Sequence, residues 1–109
     1  MLTFDDTLRI YRQIQASKLK SLSDSLIKLA IRYARIRVDW LQTPTGERAD
    51  IDTERSRAHN ALISACDIMA RNMQLAGEDI SWRSQIGTDR KQIGDFACML
   101  HAVLGVLAR

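Results

Sequence analysis

Residues 96–108 read Phe-Ala-Cys-Met-Leu-His-Ala-Val-Leu-Gly-Val-Leu-Ala, and none of these thirteen residues carries a formal charge. At helical pitch their apolar side chains point in every direction, and a helix that is apolar on all sides must be buried on all sides. The stretch rises only about 20 Å, well short of the ~30 Å hydrocarbon core of a bilayer. It therefore predicts a buried core helix, and no membrane is expected.

The same helix predicts a homodimer, because a chain of 109 residues has few helices with which to enclose it. Its main apolar stripe consists of Ile93, Phe96, Ala97, Leu100, Val103, Leu104 and Leu107. Met99, Ala102 and Val106 point elsewhere, and a second apolar face on a short helix needs a second partner. We therefore expect Met99 and Val106 to lie near a subunit contact.

The composition is that of one helical domain, residues 1–109. Hydrophobic residues make up 46% of the chain, which has one proline and five glycines, so extended disorder is not expected. A chain of this length buries a core without disulfides or a structural metal. Cys66 and Cys98 lie in apolar helical patterns and no secretory signal opens the chain, so we expect a reduced, cytoplasmic protein.

The N-terminal segment is predicted to be helical because no glycine or proline precedes Pro44. Apolar residues at helical spacing are Phe4, Leu8, Tyr11, Leu19, Leu22, Leu26, Leu29, Tyr33, Ile36 and Trp40. Two interpretations are open for residues 4–41: one rod, or two helices separated at residues 20–24. We favour the break, because Ser21 with Asp24 forms a start that resembles a capping box.

A third helix is predicted from Asp50 or Asp52 to Gly77. Its apolar face consists of Ala58, Leu62, Ala65, Cys66, Met69, Met73 and Ala76. Gly87 fits a helix end and Thr88 the N-cap of the last helix. A narrow strip of the last helix, which another helix backbone could approach closely, consists of Gly94, Cys98, His101 and Gly105. The expected fold is all-α, a compact bundle of four main helices with the C-terminal helix at its centre.

Residues 54–60 read Glu-Arg-Ser-Arg-Ala-His-Asn, and residues 89–97 read Asp-Arg-Lys-Gln-Ile-Gly-Asp-Phe-Ala, with Trp82 between the two segments. With these motifs the C-terminal half, residues 54–109, resembles a family of small bacterial all-helical proteins with no assigned activity. The resemblance implies an all-helical bacterial protein. It supplies no catalytic residue for this chain.

Cysteine and histidine side chains raise the question of a zinc site. His59 and Cys66 lie seven residues apart, so about 10.5 Å of helical rise separates them and one shared metal would be strained. Cys98 and His101, at i and i+3, could chelate a metal to which Cys66 adds a third ligand. We favour cysteines that pack as small hydrophobes and a His101 buried in the core, so neither a metal nor a cofactor is expected.

The carboxylates do not follow the pattern of an all-α metal-dependent nucleotide hydrolase, which needs several of them converging on Mg²⁺ from two helices. Most acidic residues lie at predicted helix beginnings or in loops, whereas Asp67 and Asp95 lie within the last two predicted helices; Asp67 has Arg71 at i+4, a common surface pair. Asp95 borders the apolar run. We expect it to form a structural ion pair, with Arg57, Arg71 or Arg90 as partner.

Lys28, Arg32 and Arg35 lie at i, i+4 and i+7 and form a basic row that could follow a phosphate backbone. We favour a solvated face, because the next residue along the row, Asp39, is acidic. The expected function is that of a non-catalytic accessory or regulatory protein that acts by self-association and by binding a protein partner. The alternatives are a nucleic-acid-binding regulator that uses the basic N-terminal helices and an all-α metal-dependent nucleotide hydrolase.

Overall fold

The computed structural model of the chain describes residues 2–109. Five α-helices are present: α1 (Phe4–Ala16), α2 (Lys20–Gln42), α3 (Ala49–Leu75), α4 (Ser81–Ile86) and α5 (Arg90–Leu107). One turn of 3-10 helix, Thr45–Glu47, joins α2 to α3. Residues 2–109 contain no strand, which confirms the all-α prediction. The four longer helices are α1, α2, α3 and α5.

The N-terminal segment consists of two helices and not of one rod. Lys18 has a φ of 66°, a left-handed conformation that takes the chain out of α1. The Ser17 hydroxyl donates to the Ile14 carbonyl at 2.6 Å and so completes the end of α1. The break thus precedes the predicted position. The start at Ser21 is wrong, because α2 already begins at Lys20.

The buried face of α1 differs from the predicted one. Thr7, Ile10 and Ile14 are buried, whereas the predicted stripe of Phe4, Leu8 and Tyr11 is only half-buried. The prediction assumed that the apolar face continues from α1 into α2. In the structure α1 packs mainly on α5 instead, so the face that it buries is set by α5.

The most extensive helix contact joins α2 and α3, and a cluster around Trp40 stabilises the end at which the two helices are connected. The guanidinium groups of Arg48 and Arg55 lie 4.0 and 3.9 Å from the Trp40 ring centroid. Both guanidinium groups therefore lie over the indole ring. Its Nε1 donates to Asp52 Oδ1 at 3.1 Å. Cation–π contacts of this kind stabilise the pairing of two helix ends.

The predicted face of α3 is buried at Ala58, Leu62, Cys66, Met69 and Met73. One detail of that prediction changes. Ala76 is exposed, because it is the C-cap beyond the last turn of the helix.

The predicted boundary at Gly87 is correct. The N-cap of α5 is Asp89 and not Thr88, since the Asp89 side chain accepts from the backbone N–H of Gln92. Asp89 and Gln92 form a reciprocal capping box.

The last helix, α5, packs against each of the four other helices. Its inward residues are Ile93, Phe96, Ala97, Leu100 and Val103, all of them buried. Within the single chain the final turns of α5 are not covered, since His101, Ala102 and residues 105–107 are exposed. None of the helices described is long and apolar enough to cross a membrane.

At the two glycines of the narrow strip on α5, the atoms nearest to an added Cβ do not belong to another helix backbone. A Cβ atom at Gly94 would lie 2.8 Å from Nη1 of Arg37, so the missing side chain makes room for a guanidinium group. A Cβ atom at Gly105 would have nothing within 4 Å. Gly94 therefore allows the Arg37 side chain to pack against α5, while Gly105 has no such neighbour.

Truncating Leu100, which is 1% exposed, should lower the free energy of unfolding by about 2 to 5 kcal/mol, because it leaves a cavity in the core. Leu75 is 81% exposed, so Leu75→Ala is the matched control and should change stability by less than about 0.5 kcal/mol. Urea unfolding followed by circular dichroism measures both. Equal losses would show that α5 does not pack as described.

Candidate functional site

A groove between α2 and α5 is the clearest candidate for a functional surface. Its volume is about 330 Å³. The residues that line it are Ala34, Arg35, Val38 and Asp39 from α2 and Cys98 and His101 from α5. The groove thus combines an apolar floor with one cationic and one anionic side chain.

Arg35 and Asp39 are both exposed and lie one helical turn apart on α2. Within residues 2–109 neither takes part in an ion pair. An arginine that precedes an acidic residue at i and i+4 is also the less favourable orientation for a pair within one helix. Both charges are therefore available to groups outside the chain.

The predicted metal candidates are only partly brought together. Cys98 and His101 line the same groove, but Cys66 is 0% exposed in the core and burial raises the pKa of its thiol to about 12. Among the residues that the structure describes, no group of three or more His, Cys, Asp or Glu side chains is placed to hold a metal ion. The prediction of a buried His101 is wrong: His101 is exposed, and the buried histidine is His59.

The Cys98 thiol is half-buried and has a charged neighbour. Nη1 of Arg37 donates to Cys98 Sγ at 3.8 Å. The expectation that both cysteines pack as buried small hydrophobes therefore holds for Cys66 but not for Cys98, because α2 and α5 leave the groove open beside it. Both cysteines are free, as predicted.

Iodoacetamide at neutral pH should therefore modify Cys98 in the native protein and reach Cys66 only after unfolding, because the buried thiol neither meets the reagent nor ionises. Peptide mapping after timed labelling measures both sites. The Cys66→Ser variant should still be labelled at Cys98 in native buffer. The Cys98→Ser variant should be labelled at Cys66 only in urea. Equal native rates for the two thiols would contradict the placement of Cys66.

Asp95 forms the ion pair that the sequence predicts, but with a partner that the sequence did not indicate. Arg37 Nη1 lies 3.1 Å from Asp95 Oδ1, and Lys91 Nζ lies 3.2 Å from Oδ2. Arg57, Arg71 and Arg90 are not its partners. Partial burial works to raise the pKa of Asp95, but hydrogen bonds from Lys91 and Arg37 outweigh it and hold the pKa below 3.8.

Replacing Asp95 by Asn should cost about 1 to 2 kcal/mol of stability at pH 7, since the pair with Arg37 is partly shielded from water. A carboxylate whose pKa is lower in the folded state stabilises the fold above its unfolded pKa, and this stabilisation disappears as pH falls through the folded pKa. The difference in free energy of unfolding between Asp95→Asn and the parent should therefore become smaller as the pH falls below 3.8.

Chemical unfolding at a series of pH values measures this difference. Asp24→Asn is the control, because Asp24 is exposed and makes no ion pair within the described part of the chain. A penalty for Asp95→Asn that stayed constant down to pH 2 would show that the charge of Asp95 does not matter.

The basic row is exposed as predicted. Lys28, Arg32 and Arg35 border a shallow cavity of about 440 Å³ between α2 and α3. Arg32 Nη2 lies 3.9 Å from Oε1 of Glu54, so one charge of the row is partly balanced. No aromatic side chain lines this cavity, so it has no platform on which a base could stack.

The predicted interface residues both lie at the surface of α5. Val106 is 47% exposed, and Met99 is half-buried. Met99 lines a second cavity of about 320 Å³ together with Cys98 and Ala102. Because Cys98 lines both cavities, the apolar surface continues from the groove around α5 to Met99.

Sequence reasoning missed a polar cluster in which Tyr33 and His59 contact each other. Their rings meet edge to face with centroids 5.7 Å apart. Arg55, His59 and Asp95, which belong to the two motifs of the sequence resemblance, contact Trp40, Tyr33 and Arg37 of α2. The motifs lie far apart in the chain, so only their common polarity could have signalled the cluster.

Comparison with family models, with curated proteins and with solved structures finds no match to this chain.

Proposed function

We propose that the chain is a non-catalytic protein that acts by association, first with a second copy of itself through the α2–α5 groove. The observation that supports this is the pair of unpaired, opposite charges, Arg35 and Asp39, beside an apolar floor. A contact between two copies related by a two-fold axis is self-complementary, so each contact between two different residues occurs twice. Arg35 of each copy then faces Asp39 of the other.

The exposed apolar residues of α5 support the same arrangement. Isolated apolar side chains at a surface need no explanation, whereas a continuous apolar surface marks an interface. Val38 at the groove and Val106 on the last turn are each nearly half exposed. We place Met99 and Val106 at the border of the contact, where a charge such as Val106→Glu should weaken association.

The two alternatives have less support. Both helix carboxylates considered for metal binding are engaged: Asp67 accepts from Arg83 at 2.7 Å and Asp95 from Arg37. A hydrolase would need such groups free to converge on a cation. The basic row offers charge for a nucleic acid but is partly balanced by Glu54. Self-association therefore remains the function that the geometry favours.

Reversing one of these charges should raise the dissociation constant of the dimer about tenfold or more, because attraction becomes repulsion at two places. This applies to Arg35→Asp and to Asp39→Arg when each variant is measured alone. An equimolar mixture of the two variants should restore the dimer, because one copy then carries two acidic groups and the other two basic ones. Sedimentation velocity over a concentration series measures each case.

Lys20→Asp is a matched control on the same helix, exposed and outside the groove, and should leave association unchanged. A parent protein that sediments as a 12.4 kDa monomer at high micromolar concentration would contradict the proposal. So would a mixture that associates no better than either variant alone.

A further inference from the structure

Three guanidinium groups converge on one buried tyrosine at the junction of α2, α3 and α5. Tyr33 is 1% exposed. Burial raises the pKa of its hydroxyl, and the charges of Arg55, Arg90 and Arg37, in that order, act against the rise. The geometry agrees: Arg37 lies one helical turn from Tyr33 on α2, and Arg55 lies one turn from His59, whose ring contacts Tyr33. This junction is separate from the groove between α2 and α5.

The charges at this junction do not balance. Arg37 is paired with Asp95, and Arg55 Nη1 lies 3.4 Å from Asp52 Oδ1. Arg90 makes no ion pair within residues 2–109, and its Nη2 donates to the neutral hydroxyl of Ser56 at 3.0 Å. Like charges held close together in a partly buried site repel each other. An anion beside Arg90 would remove that repulsion.

The junction also has polar atoms without partners. Arg55 Nε and His59 Nε2 are buried and have no hydrogen-bond partner among the described residues. His59 is 8% exposed, and its ring meets the edge of Tyr33. Buried polar groups in folded proteins are nearly always satisfied, so unpaired ones at one place indicate a missing partner or a functional role. Here arginine donors outnumber the carboxylate acceptors.

We propose that Arg55, Ser56 and Arg90 form a binding site for a phosphate group. Guanidinium groups offer parallel N–H donors that match a tetrahedral oxyanion, and a serine hydroxyl adds a further donor. Arg90 is exposed, so a ligand reaches the site from solvent. The inference is independent of self-association, because none of these three residues lines the α2–α5 groove.

Trp40 supplies a local probe, since its ring lies 3.9 Å from the Arg55 guanidinium. The chain has two tryptophans, and Trp82 of α4 is the internal reference. Titration with inorganic phosphate, with chloride adjusted to constant ionic strength, is followed by the two indole N–H resonances. The Trp40 resonance should shift and saturate, whereas the Trp82 resonance should stay in place.

Two variants locate the site. Arg90→Gln should weaken phosphate binding about tenfold, because a charge-assisted hydrogen bond is lost. Arg57→Gln makes the same chemical change at an exposed arginine of α3 that makes no ion pair in the described chain, and should bind phosphate as the parent does. Ser56→Ala should weaken binding less. Circular dichroism checks that each variant folds.

The source of the phosphate group is tested with a nucleoside monophosphate in place of inorganic phosphate. Tighter binding of the nucleotide would identify a phosphate ester as the ligand, and equal affinity would identify free phosphate. The proposal is overturned if the Trp40 resonance does not shift or shifts equally with chloride alone. It is also overturned if Arg57→Gln loses as much affinity as Arg90→Gln.

Discussion

The whole structure depends on covering the inward face of α5. Ile93, Phe96, Leu100 and Val103 are each at most 1% exposed, and burying an apolar side chain of this size contributes about 1.5 to 3 kcal/mol. This helix packs against α1, α2, α3 and α4. Each of those four helices therefore supplies part of the cover.

The contact between α2 and α5 shows how a single missing side chain organises polar chemistry. Gly94 leaves space that the Arg37 guanidinium occupies, and from there Arg37 reaches both Asp95 and the Cys98 thiol. Its charge also acts on Tyr33. Arg37 therefore lies between the two candidate surfaces, the α2–α5 groove and the arginine cluster around Tyr33. A change at Gly94 would displace Arg37 and so alter the electrostatics of both.

The two surfaces differ in the partners that they suit. The groove, which we propose for self-association, has an apolar floor and one charge of each sign. The arginine cluster, which we propose for a phosphate group, has a surplus of positive charge and an exposed guanidinium group. Among the described residues, neither surface brings three carboxylates together. One small chain can carry the two because they lie on different helix faces.

The sequence by itself determined the helices and most of the core. Helical periodicity predicts which residues of α3 and α5 are buried, and Pro44 and Gly87 mark two of the connections, because these signals act within one or two turns of the chain. Only the tertiary structure decided that Asp95 pairs with Arg37 across 58 residues, that His59 and not His101 is buried, and that α1 buries Ile10 and Ile14. Periodicity identifies an apolar face, but the neighbour that covers it is chosen by packing among all the helices. Long-range pairs and the exposure of the last turn of α5 follow from that choice.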